Sequence, residues 1–195
     1  MRKTTGWTAT LLASMAMAAA STLADLVWAL WIPAHRAVYG LIHGALLFML
    51  LGLVLGALAA PVRTDLPRGA LALRGGTSEL FAGLAGAATF YALFGLIGWA
   101  AMFVAWMWLW MLTAFINRWL RGALETPGFT LARGVGAALL SGVAFWAISG
   151  IWLGGSTRNP DYVVNFASWL VAFAPGFACL LLRPVELSAG ATTSS

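Results

Sequence analysis

Asp25 and His43 are the side chains in this chain best placed to do chemistry, because each interrupts a long apolar run. Between the two runs lies a short turn around Pro33 and Ala34. Asp25 precedes Ala34 by nine residues, and His43 follows it by nine. If both runs are helical, equal distances from the turn place the two groups at equal depth on antiparallel neighbours. A carboxylate beside an imidazole can relay a proton, anchor a cationic substrate or contribute to a metal site. The plainer reading is that the two groups satisfy each other, or Arg36, and lock a helix hairpin.

Four more polar residues flank this pair. His35 and Arg36 lie in the same turn, and Arg158 and Asp161 lie in the segment 156–162, where Asn159-Pro160-Asp161 marks a local break. They are candidates for the rim of a site. The competing reading pairs Arg158 with Asp161 in water, where such pairs contribute little. The spacing of these His and Asp residues matches no metal-ligand motif, so no metal is assigned, and no cofactor-binding motif is present. No serine can be tied to a histidine to make a hydrolase triad. The two histidines do not lie on facing runs, which argues against bis-histidine haem. The single cysteine, Cys179, sits in an apolar run and offers neither a disulfide framework nor metal-type spacing.

Intramembrane ionisable groups carry a functional hypothesis by default, and the composition makes these groups intramembrane. The chain is 62% hydrophobic and 9% charged, far from the roughly 45–50% and 25% of soluble domains. The stretch 80–117 runs for 38 residues without Asp, Glu, Lys, Arg or His. As one helix it would extend about 57 Å, nearly twice the hydrocarbon thickness of a bilayer. It must therefore break, and Gly95 and Gly98 mark where a tight turn can form.

The arginines decide the number of spans. With six spans, Arg2, Lys3, Arg63, Arg68, Arg74, Arg118, Arg121, Arg133 and Arg183 fall on one side and only Arg36 and Arg158 on the other. Five spans would divide the cations nearly evenly. Because cytoplasmic loops are enriched in Lys and Arg, the expectation is an all-α, six-span membrane bundle with both termini cytoplasmic. The spans are about 7–32, 38–60, 79–96, 99–117, 134–154 and 163–182, in a single domain covering 1–195. Tyr39, Tyr91 and Tyr162 then gather towards the outer interface, as an aromatic belt requires. The run 7–32 is too long for a signal-peptide core and reads as an uncleaved span. The preference for Arg over Lys, with abundant Ala, Gly and Leu, suggests a bacterial inner membrane.

Small residues indicate how the spans pack. Gly40, Gly44, Gly52 and Gly56 share one helix face, with Phe48 in the gap. Ala138, Gly142, Trp146, Gly150 and Gly154 repeat that order 98 residues later. Both look like central packing helices, and the offset fits an inverted repeat. Glu79 follows Gly76-Thr77-Ser78 and is expected in a first helical turn, where negative charge suits the dipole. Thr113 is expected to return its hydroxyl to the helix backbone. Asn117 and Asn165 are expected near solvated interfaces. The tryptophans of 106–110 read as packing or lipid-facing residues.

With a net charge of +5 but no basic face, nucleic acid is excluded as a partner. The lipid bilayer is the certain partner, with a membrane-protein partner or a second copy as further options. The favoured function is a small transporter-like or proton-coupled membrane protein using Asp25 and His43. The alternative is a non-catalytic accessory or assembly subunit of a membrane complex. A membrane-embedded enzyme has the least support, since acid, base and nucleophile do not converge.

Overall fold

The charge-free stretch breaks at Gly98, whose φ of 58° is reached without cost only by glycine. Its N–H closes on the carbonyl of Phe94, and one 3₁₀ turn, Gly98–Ala100, reverses the chain. The computed structural model describes residues 2–31, 37–61, 63, 65–153 and 161–182. All its regular structure is helical: α1 (Arg2–Trp31), α2 (Ala37–Ala59), α3 (Arg68–Ile97), α4 (Ala101–Leu120), α5 (Pro127–Leu153) and α6 (Tyr162–Leu181). Six helices are long and apolar enough to cross a membrane, so the chain is a multi-pass membrane protein.

The helices form an up-and-down ring. Each packs on its neighbours in sequence, and α1 closes the circle against α6. The middle is filled by side chains such as Met17, Phe48, Leu51, Trp110, Phe173 and Phe177. These leave a cavity with about 10 Å³ of room for the centre of a water molecule.

The most extensive seam joins α2 to α3. In lipid, helices gain little from burying apolar surface, so contact depends on how closely backbones approach. Gly40, Gly44, Gly52 and Gly56 all lie against α3. At the tightest point Gly52 and Gly75 face each other, and a Cβ on either would overlap the other's carbonyl. The row on α5 is used differently. A Cβ on Gly142 would make only ordinary contact with the Trp106 ring, at 3.7 Å, and Trp146 turns outward. Gly150 falls within α5, whereas Gly154 lies outside the described residues.

Two boundaries differ from the sequence expectation. The third helix begins at Arg68 rather than near 79, because Gly75 and Gly76 serve close approach to α2 and are not loop punctuation. The fifth begins at Pro127 rather than near 134. Proline suits a first helical position, and Thr126 Oγ1 accepts the Phe129 N–H at 3.3 Å.

The end of the ring carrying the chain termini is rich in Arg, and two of these residues cap helices. Arg133 donates from Nε (3.0 Å) and Nη2 (2.9 Å) to the Cys179 carbonyl, with a further bond to that of Leu180. Its Nη1 pairs with Glu125 at 2.9 Å. Arg63 donates to the Trp119 carbonyl at 2.6 Å and pairs with Asp65 at 2.9 Å. Arg133 satisfies carbonyls that a helix C-terminus leaves open, and Arg63 adds a second donor to the Trp119 carbonyl, which also accepts the Gly122 N–H at 3.1 Å.

Candidate functional site

Thr10, Ser14, Ser21 and Asp25 recur along one face of α1 at spacings of four, seven and four, the rhythm of a single helix face. Thr10 and Ser14 return their hydroxyls to carbonyls one turn back, at 2.9 and 2.8 Å. Ser21 Oγ is buried and has no hydrogen-bond partner among the described residues. Asp25 ends the stripe, and its Oδ2 accepts the Trp169 indole N–H at 2.8 Å and the Asn165 amide at 3.3 Å. Asn165 in turn accepts from Thr22 Oγ1 at 3.2 Å. The network spans the α1–α6 seam one to two turns from the end opposite the Arg-rich one.

Asn165 and Trp169 stand four apart on α6 and therefore share a face. Trp169 is held between Phe145 and Phe173, with centroids at 5.4 and 5.6 Å and near-parallel planes. Phe173 stacks in turn on Trp106 at 5.6 Å. This aromatic ladder fixes the indole so that its N–H meets the carboxylate. Two donors on one oxygen suit a carboxylate that must be stabilised away from bulk water.

No hydrogen bond or ion pair joins Asp25 to His43 among the described residues. His43 packs edge-on against Tyr39, with centroids 5.9 Å apart. Asp161 caps α6, accepting the N–H groups of Val163 and Val164 at 3.0 and 3.2 Å. His35, Arg36 and Arg158 lie outside the described residues. Among the described residues, no three His, Cys, Asp or Glu side chains converge to hold a metal.

Sequence reasoning missed one carboxyl. Glu79 lies not in a first turn but three turns into α3, fully buried. Its Oε2 accepts from Thr113 Oγ1 at 3.0 Å, while Oε1 has no partner among the described residues. Thr113 therefore does not spend its hydroxyl on the backbone as expected. Asn117 and Asn165 are likewise buried rather than solvated. The available signal for Glu79 was its spacing of four from Gly75, the residue facing Gly52.

Compared with protein-family models, curated proteins and solved structures, the chain matches none.

Proposed function

We propose that this multi-pass membrane protein is proton-linked, with Asp25 as the group that takes and releases the proton. The observation that carries this reading is the Asp25 carboxylate inside the bundle, held by Trp169 and Asn165 and backed by Thr22. One further feature supports it: the seam between α1, which carries Asp25, and α2, which carries His43, is the least extensive of the ring among the described residues. His43, packed on Tyr39, is the second group in the relay.

The excess of cations at the Arg-rich end supports a cytoplasmic position for that end and for both termini, and the preference for Arg over Lys supports a bacterial inner membrane. The test is a proteoliposome assay in which an imposed pH gradient is read by an entrapped dye. Asp25→Asn should abolish the protein-dependent signal and His43→Ala should weaken it, with both variants folding normally. An unaltered signal in Asp25→Asn overturns the reading.

A further inference from the structure

Glu79 has a polar trail leading away from it. Thr113, Asn117 and Arg121 follow at successive intervals of four from α4 to its C-cap, and so lie along one face. Thr113 donates to Glu79, and Arg121 Nε donates to Asn117 Oδ1 at 3.0 Å. Asn117 is buried, whereas Arg121 reaches partial exposure at the Arg-rich end. Glu79 is eleven residues from the start of α3 at Arg68, so this end is the nearer one, about 17 Å along the helix.

We propose that Glu79, with Thr113 beneath the Gly52–Gly75 crossing, is a second intramembrane proton-binding site, served from the Arg-rich end through Asn117 and Arg121. A carboxylate with an unpartnered oxygen and no exposed surface carries a heavy desolvation cost, which a proton on that oxygen removes. Among the described residues no ion pair reaches Glu79. From α2, the helix across the seam, only Tyr39 and His43 are ionisable, and both lie towards the far end. From α4, Thr113 is the direct contact, with Arg118 and Arg121 farther along. On α3 itself Arg74 and Arg68 lie towards the Arg-rich end, and Tyr91 lies the other way. One carboxyl and one hydroxyl are too few oxygens for a metal cation, which needs six or more hard ligands in the calcium or magnesium case.

The inference extends the proton-linked reading, but its test stands apart from the flux through Asp25. Infrared spectra of the full-length protein in lipid nanodiscs, recorded in H2O and D2O at neutral pH, report protonated carboxyls directly. A carboxylic C=O band that disappears in Glu79→Gln, shifts in Thr113→Val and persists in Asp25→Asn is the expected result. Asn117→Leu should leave the band in place and slow its hydrogen–deuterium exchange about tenfold, the effect of one hydrogen bond lost from the barrier. A wild-type spectrum with no such band overturns the proposal whatever the variants do, as does a band unchanged in Glu79→Gln or Thr113→Val. Exchange unchanged in Asn117→Leu overturns the route. Loss of proton flux in Asp25→Asn with the Glu79 band intact would show the two sites to be separate.

Discussion

Trp169 donates its indole N–H to the Asp25 carboxylate at 2.8 Å, joining the last helix of the ring to the first. The bond is charge-assisted whenever Asp25 is ionised, and its donor is fixed by stacking on both sides. Trp169→Phe keeps the stacking but removes the donor. It is expected to cost about 1.5–3 kcal/mol, the usual value of a hydrogen bond to a charged group. Combined with Asp25→Asn, the loss should be less than additive, with a coupling of about 1–2 kcal/mol in a double-mutant cycle measured by unfolding in mild detergent.

The α2–α3 seam predicts a sharp contrast among glycines. Gly52→Ala drives a methyl into the Gly75 backbone and should cost about 1–3 kcal/mol. Gly95→Ala meets nothing within 4 Å and should stabilise by up to about 1 kcal/mol through helix propensity. Gly98→Ala strains the turn at φ 58° and should cost about 1–3 kcal/mol. Thermal unfolding of the three variants in one detergent ranks them.

Arg133 anchors α6 to α5 at the Arg-rich end. Arg133→Ala strands Glu125, whose side chain is 15% exposed, and frees two carbonyls. It should cost about 3 kcal/mol or more. Glu125→Gln leaves the carbonyl contacts intact and should cost about 1 kcal/mol. Limited proteolysis after residue 181 should accelerate in Arg133→Ala and not in Glu125→Gln.

In the loop before α3, the hydrogen bond from Arg63 holds the Asp65 carboxyl below its ordinary value. The folded state therefore binds this proton more weakly than the unfolded state. The contribution is present above the unfolded carboxylate's pKa and is lost as pH falls through the lowered folded value. In Arg63→Ala the Asp65 titration should move upward, as carbon-detected NMR of labelled protein would show. An unchanged midpoint would remove Arg63 as the cause.

How much of this was legible in the sequence depends on range. The six helices followed from local facts: apolar runs of spanning length, Gly98 inside a stretch too long to cross once, and arginines sorted to one side. Glu79 was misplaced because a charge beside glycines resembles a helix start. In fact Gly75 and Gly76 serve a backbone contact with α2, which no local pattern reports. Asp25 was recognised as an intramembrane carboxylate, but its hydrogen-bond donors lie on α6. Depth matching compares only neighbours joined by a short turn, so His43 came into view and Trp169 did not. The spacing of Asn165 and Trp169 by four was visible, but nothing in a single sequence says that α1 and α6 touch.

That closing seam also constrains how the protein is made. Trp169 leaves the ribosome 144 residues after Asp25, an interval of roughly 7–29 s at ordinary elongation rates. Until then the first helix carries a carboxylate whose indole and amide donors have not yet been synthesised. It must be sheltered by the insertion machinery, or its acid must borrow a proton to sit in lipid. A chain truncated before α6 cannot bury that acid in its native way, which exposes unfinished products to the proteases that clear faulty membrane proteins.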